Sequence, residues 1–435
     1  MKWKAFWASA LLSILFTIVY GATNALAAAR DGVGSFYFEW ERHIPFLPVF
    51  IVPYMSINLF FISSPFLCRT DRERRVLAGR IAFAIVVAGA CFLLFPLRFG
   101  FERPHVDGWL GLVFKSFREF DQPFNELPSL HIAFIVILAA IYLRRFKGLI
   151  GSAIAVWFIL IGFSAVLTYQ HHLVDVVGGV VLAAASFHFF PDRVQQKTVV
   201  RNYRVGMYYA AGALVFVAGC FVARPWSWLL LWPALSFAIA AAGYFGLGPS
   251  IYRKQRGRLP ATTWMLLWPV LLGQRASRWH YARQCRAWDV VSDRVWIGRA
   301  LSEAEASEAI AAGVFAVLDM TGEFAETRVF RTRIYRQIPI LDLTAPNDGQ
   351  LEEGVRFVHR HARFGVVYVH CKIGYSRSAA VVGAYLMNAG IACDADAALA
   401  MLRASRPSIV IRPEIVELLR RYQDRAPVGA HPHSH

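Results

Sequence analysis

The sequence has no Gly-rich nucleotide loop of the Walker or Rossmann kind, no CxxC pair and no cysteines at metal-ligand spacing, and its His-rich end "HPHSH" (431–435) reads as a disordered tail rather than an adventitious metal site. Its six cysteines stand singly at 68, 91, 220, 285, 371 and 393, which argues against a disulfide framework. We expect no cofactor and no bound metal. Charge is also scarce. Only 17% of the 435 residues are charged while 57% are hydrophobic, too apolar for a soluble chain of this size, so several membrane spans are expected. The net charge of +17 is carried by Lys and Arg in short clusters between apolar runs. That pattern suits cytoplasmic loops against anionic lipid heads, and no nucleic-acid partner is expected.

Runs near the ~20 residues a bilayer requires lie at about 5–27, 46–67, 81–97, 130–144, 149–168, 172–190, 205–222 and 227–247, giving eight expected spans. The first, with Lys2 and Lys4 before it and an Ala-rich end, has a cleaved signal peptide as its alternative. A shorter piece, 262–273, is expected to lie in the membrane interface. Basic loops recur on alternate connections: the N-terminus, 69–75 with Arg80, 144–147, 192–204 and 252–258. The positive-inside rule then puts the N-terminus and everything after span eight in the cytoplasm of an inner (cytoplasmic) membrane. The outer face carries 28–45, 98–129, 168–172 and 223–226.

Polar residues that do not read as loop filler collect on that outer side: "FPLRFGFERP" (95–104), "LPSLHIAF" (127–134) and "TYQHHLVDVVGG" (168–179). His171 and Asp175 are four apart, so on a helix they would share a face and the carboxylate would orient the imidazole. His131 lies at the same expected depth. Between them, Trp109, Leu110, Val113, Phe114 and Phe117 form a helical stripe opposite Lys115, Arg118 and Glu119, suited either to guiding a lipid or to packing.

Residues 80–190 resemble the type-2 phosphatidic acid phosphatase superfamily: an Arg-Pro element, then Pro-Ser-x-His, then His-x-x-x-Asp, in the family's order. The "PSLH" wording is similar to the branch that includes inositol phosphorylceramide synthases. The resemblance implies that His171 attacks phosphorus, Asp175 orients it and His131 protonates the leaving alcohol. Arg103, with Ser129 and Arg98, would hold phosphate oxygens. His172, three residues from Asp175, is the lesser nucleophile candidate. Two family cations are missing, with Pro96 and Ala165 in their places.

After the linker, the texture becomes that of an α/β domain. Strands are expected at 293–300, 313–320, 336–343 and 365–370, and helices at 302–312, 349–363, 378–390 and 394–407, giving a largely parallel sheet with its site outside the strand C-termini. There stands "VHCKIGYSRSAA" (369–380), with Cys371 and Arg377 six apart around Gly374. A tight loop ending in a helix N-terminus cradles a phosphate dianion, and a thiol in that field ionises readily. Arg377 offers a planar fork for two phosphoryl oxygens.

This region, about 280–425, resembles the dual-specificity branch of the cysteine-dependent protein tyrosine phosphatases. The resemblance implies Cys371 as nucleophile, Arg377 as phosphate clamp and Ser378 as a hydroxyl easing thiolate departure. The general acid would be Asp342, 29 residues upstream, with Asp348 as runner-up at 23. Lys372 would add a cation to the pocket and favour lipid head groups, unless it points to solvent. The whole is similar to a bacterial fusion family of YnbD type.

The expected organisation is an all-α polytopic membrane bundle followed by an α/β cysteine-phosphatase domain: a phosphatidic acid phosphatase-like domain at 1–190, two further spans in 191–250, a basic interfacial linker at 251–275, the phosphatase domain at 276–425 and a disordered tail at 426–435. The expected activity is a two-site phosphatase on phospholipid or polyprenyl phosphate monoesters. The alternatives are a lipid head-group transferase in the membrane half with a protein phosphatase domain, or an inactive anchor carrying a phosphatase.

Overall fold

The computed structural model describes residues 2–120, 123–192, 201–222 and 227–425. The expected outer turn at 223–226, most of the basic loop 192–204 and the tail 426–435 lie outside them. The chain forms two compact units, 1–194 and 195–435.

The first unit is helical: α1 (Lys2–Ala28), α2 (Ile51–Ser63), α3 (Asp71–Leu94), α4 (Gly108–Phe120), α5 (Leu130–Arg145), α6 (Gly148–Leu167) and α7 (Leu173–Phe189). Thr70 begins α3 by accepting the Glu73 N–H, and Ser129 begins α5 by accepting that of Ile132. Ile51, Ile81, Ile85, Leu138 and Ile161 interlock in the centre, while Leu149, Ile150, Ile159 and Phe163 leave α6 apolar on its outside as well. A helix apolar all round suits a lipid environment.

All eight apolar runs of the sequence are helical, including those in the second unit. Among the described residues, five segments are long and apolar enough to cross a membrane: Lys2–Ala28, Pro48–Leu67, Asp71–Leu94, Gly148–Leu167 and Leu231–Tyr252. The chain is thus a membrane protein. Leu173–Phe189 is apolar but shorter, and α5 has 16 residues.

The second unit starts with α8 (Tyr203–Val222) and α9 (Leu231–Ala242), which pair closely, and α10 (Ala261–Ala282). Five strands follow, β1 (Trp288–Ser292), β2 (Val295–Arg299), β3 (Val314–Thr321), β4 (Ile334–Ile340) and β5 (Val366–Cys371), in the order β1-β2-β5-β3-β4. Only β1, missed in the sequence, is antiparallel. The remaining helices are α11 (Glu303–Ala311), α12 (Arg328–Arg331), α13 (Asp348–Ala362), α14 (Ser376–Asn388), α15 (Ala395–Ser405) and α16 (Pro413–Arg425). Helix α14 is buried along most of its length, with α16 contributing Ile415, Leu418 and Leu419 to the same core.

Helix α10 differs from the expected interfacial piece. It runs unbroken across the boundary expected at 275/276, and Leu266, Leu267, Val270 and Leu271 are buried inside the unit. Lys254, read from sequence as part of a lipid-facing basic cluster, is buried: its Nζ donates to Asp319 Oδ2 (2.5 Å), Thr321 O and Thr321 Oγ1 (both 2.9 Å). All three ammonium donors are thus engaged inside the protein.

Candidate active sites

Strand β5 ends at Cys371 and α14 begins at Ser376, so residues 372–375 make the turn. Gly374 has φ +79°, and a Cβ there would lie 2.5 Å from the Gly298 backbone, so only glycine fits. Burial opposes ionisation of Cys371, but the Arg377 charge, the Ser378 hydroxyl and the N–H groups of Ser378 and Gly374 outweigh it. They hold the thiol below its ordinary range. Ser378 Oγ is 3.5 Å from Sγ.

Arg377 is buried and four of its five N–H groups are engaged. Glu323 takes two, at 3.1 and 2.7 Å, Ile340 O takes one at 2.8 Å and Asp342 Oδ1 takes one at 3.1 Å. Asp342 also accepts Lys372 Nζ at 2.9 Å. Burial acts to raise the Asp342 pKa, yet Arg377 and Lys372 bring it below the usual carboxylate value. Asp348 lies elsewhere, exposed at the start of α13 and paired with Arg425.

Lys372 neither points to solvent nor stands free for a head group. Its second contact is Gln274 Oε1 on α10, at 2.8 Å. Behind the nucleophile, His370 Nε2 meets Glu326 Oε2 at 2.8 Å, and although burial works against protonation, Glu326 and Asp319 raise its pKa. Glu323, Glu326 and Gln274 were not found from sequence. Their partners are 44 to 98 residues away, and no local pattern marks them.

In the first unit, His171 and Asp175 meet, but not on a shared helical face. His172 is the N-cap of α7, so His171 precedes the helix, and Asp175 Oδ2 accepts the His172 N–H at 2.8 Å. His171 Nδ1 is 3.8 Å from Asp175 Oδ2 and 3.4 Å from Glu126 Oε2, a second buried acid unnoticed in the sequence. His172 has both nitrogens engaged: Nε2 accepts the Gly100 N–H (3.0 Å), so Nδ1 carries the proton toward Glu41 Oε2 (3.2 Å). That leaves it unsuited to attack.

His131 and His171 line one cavity of about 530 Å³ with Phe16, Phe61, Leu112 and Phe134. His131 stacks on Tyr54 at 3.9 Å. Of the expected stripe, Val113 lines this cavity, whereas Trp109 is exposed and Phe114 is buried. The side chains of Phe117, Arg118 and Glu119 lie outside those described.

The expected phosphate ligands are less well assembled. Arg103 Nε is fastened to Tyr169 O at 2.9 Å, two residues before His171. Ser129 Oγ caps α5 and Ser129 is fully buried. Arg98 is exposed and joined through its backbone N–H to Gly34 O, with nothing to bring its guanidinium to the cavity.

Residues 77–198 match the family model of the PAP2 superfamily, and residues 295–425 match that of the dual specificity phosphatase, catalytic domain. The chain is a fusion of these two domains. Dual specificity protein phosphatase 19 of Mus musculus is 38% identical over 91 residues, 20% of this chain and 41% of that protein. Phosphatidylglycerophosphatase and protein-tyrosine phosphatase 1 of Rattus norvegicus is 36% identical over 88 residues, 20% of this chain and 45% of that protein. The chain thus spans less than half the length of these curated relatives. Among solved structures, Tk-PTP in its active form is similar with 29% identity and a TM-score of 0.30, over 32% of this chain and 97% of that one.

Proposed function

We propose that this chain is an integral membrane phosphatase with two phosphoryl-transfer sites, hydrolysing phospholipid or polyprenyl phosphate monoesters. The observation that carries this is the convergence of Asp342, on the segment after β4, with Cys371 and Arg377 around the turn after β5, which puts an ionisable thiol and a carboxyl beside one guanidinium.

In the free site Asp342 occupies one Arg377 N–H, and Arg377 Nε has no hydrogen-bond partner among the described residues. An incoming phosphate dianion takes both, leaving the carboxyl beside negative charge, where its pKa rises and it holds a proton. The Cys371 thiolate then attacks phosphorus while Asp342 gives that proton to the leaving alcohol oxygen. In the second half, Asp342 removes a proton from water, whose oxygen attacks the phosphocysteine. The S–P bond breaks, Ser378 stabilises the departing thiolate, and inorganic phosphate leaves. At the other site His171 Nε2 attacks phosphorus, with Nδ1 held by Glu126 and Asp175, while the P–O bond breaks and His131 protonates the leaving alcohol. His131 then takes a proton from water, whose oxygen attacks the phosphohistidine, and the N–P bond breaks to release phosphate.

A lipid substrate is supported by the apolar lining around His131 and His171 and by the relative whose name includes phosphatidylglycerophosphatase. The full chain in mixed micelles is expected to release phosphate faster from phosphatidylglycerophosphate than from a phosphotyrosine peptide. The reverse preference would exclude the lipid assignment for the Cys371 site.

The topology proposed is that of alternate basic loops inside, with anionic lipid heads facing them and the phosphatase domain cytoplasmic, where a thiolate survives. Supporting it, Asn202 N bonds Tyr244 O at 3.0 Å, tying the residue before α8 to the residues just after α9. Both residues also touch the loop that carries Asp342. Reporter fusions after 75, 147, 200 and 260 should read cytoplasmic, and those after 125 and 225 external. A cytoplasmic signal at 125 would refute the placement of the sites on opposite faces.

A further inference from the structure

The segment 341–346 that follows β4 carries Asp342 and is held by residues outside the matched phosphatase stretch. Tyr244 Oη donates to Asp342 O at 3.0 Å, and Asn202 Nδ2 donates to Leu343 O at 2.9 Å. Leu343 sits at φ +58°, a conformation uncommon for a branched side chain, and Asn202 fastens the carbonyl of that residue. On the carboxylate side, Lys372 bridges Asp342 Oδ2 to Gln274 Oε1. Gln274 Nε2 in turn donates to Tyr209 Oη at 3.2 Å, and the Tyr209 ring stacks on Tyr244 at 5.6 Å and 12°. The contacts close a ring: Asp342, Lys372, Gln274, Tyr209, Tyr244 and back to Asp342. Three of its members come from α8, α10 and the helical turn just after α9.

Gln274 and Lys372 are each about nine-tenths buried, so their contact is shielded from water and sets side-chain position firmly. The neighbouring Lys254–Asp319 pair fastens the same stretch of chain to β3. With Lys254 also bonded to Thr321 O and Oγ1, the stretch between α9 and α10 is an integral part of the unit.

We propose that α8–α10 belong to the catalytic apparatus of the cysteine site. Gln274 is a positioning residue that fixes the Asp342 carboxylate through Lys372, and Tyr244 and Asn202 hold the loop beneath it. Proton donation to the leaving group therefore depends on helices that lie outside the residues matching the dual specificity phosphatase model. This rests on the reading of Cys371 and Asp342 given above.

The test uses the full chain with His171→Ala, which silences the other site, and two substrates: phenyl phosphate, whose leaving group needs a proton, and 4-nitrophenyl phosphate, whose leaving group needs it less. Gln274→Ala should lower kcat on phenyl phosphate about tenfold or more and lower it clearly less on 4-nitrophenyl phosphate. Vanadate inhibition reports an intact phosphate loop and should change little. Tyr244→Phe, which keeps the stacked ring, should shift the ratio of the two rates in the same direction. With Asp342→Asn already present, Gln274→Ala should cost nothing further, because there is no acid left to position. Equal losses on both substrates, or the same cost in the Asp342→Asn background, would overturn the proposal. Failure of the underlying reading would look different: Cys371→Ser would leave 4-nitrophenyl phosphate hydrolysis intact.

Discussion

Cys371→Ser should abolish turnover at the cysteine site, by about 10⁴-fold or more, because it removes the proposed nucleophile of a covalent mechanism. A serine hydroxyl in the same cradle stays protonated where the thiol ionises. The variant should still bind vanadate or phosphate, since Arg377 and the loop N–H groups are untouched. Measured with His171→Ala present, the pH profile of the parent Cys371 site should also show its origin. The Cys371 pKa is lowered, so kcat/KM, which reports the free enzyme, rises through a value below the ~8.5 of a free thiol, while kcat, which reports the substrate complex, falls on the alkaline side as Asp342 loses its proton. Asp342→Asn should remove that alkaline fall on phenyl phosphate. A rise centred at the free-thiol value would mean that the loop does not activate the cysteine.

His171→Ala in a Cys371→Ser background is the second large effect. With the cysteine site silent, phosphate release from a lipid monoester should drop by at least about 10⁴-fold while the protein remains folded, because His171 lines a cavity rather than filling the core. Glu126→Gln should lower the rate less, since Asp175 still faces Nδ1. The positions of Pro96 and Ala165, where family cations are missing, set one alternative outcome. A phosphodiester carries less charge than a monoester dianion and needs fewer cations, so formation of a new lipid by head-group transfer, dependent on His171 and without phosphate release, would mark this unit as a transferase. Unchanged activity in the double variant would sink the His171 assignment.

What the sequence made legible follows from how local each signal is. Cys371, Gly374, Arg377 and Ser378 lie within eight consecutive positions, and strand, turn and helix periodicity framed them. Asp342 was reached through a spacing characteristic of the resembling family, and the structure brings it to Arg377 and Lys372. The acids that complete both sites were not legible, because Glu126 is 45 residues from His171 and Glu323 is 54 from Arg377. Each reads alone as a loop carboxylate. His171 and Asp175 do lie near each other, but not by the i,i+4 argument: His172 breaks into an extended N-cap conformation, and Asp175 holds the cap N–H as well as facing His171.

Lys254 reads as lipid-facing because basic residues beside membrane spans suggest lipid heads, and Lys372 reads as a pocket cation because it follows the nucleophile; only tertiary structure reveals that each is buried on a carboxylate. The same contacts change how the phosphatase half can be isolated. A fragment starting at 276 would lack Gln274, Tyr244 and Lys254, so experiments on the cysteine site require the chain from about 201 onward at least.

The central claim is that one chain forms two chemically different phosphoenzymes. Brief exposure of the purified full chain to a ³²P-labelled lipid monoester, followed by denaturation and split acid and alkali treatments, tests it directly, since a histidine phosphoramidate is lost in acid and survives alkali. Parent protein should carry both labels, Cys371→Ser only the acid-labile one and His171→Ala only the acid-resistant one, with the double variant unlabelled. Label that persists unchanged in the double variant, or a single label removed entirely by either substitution alone, would contradict two independent nucleophiles.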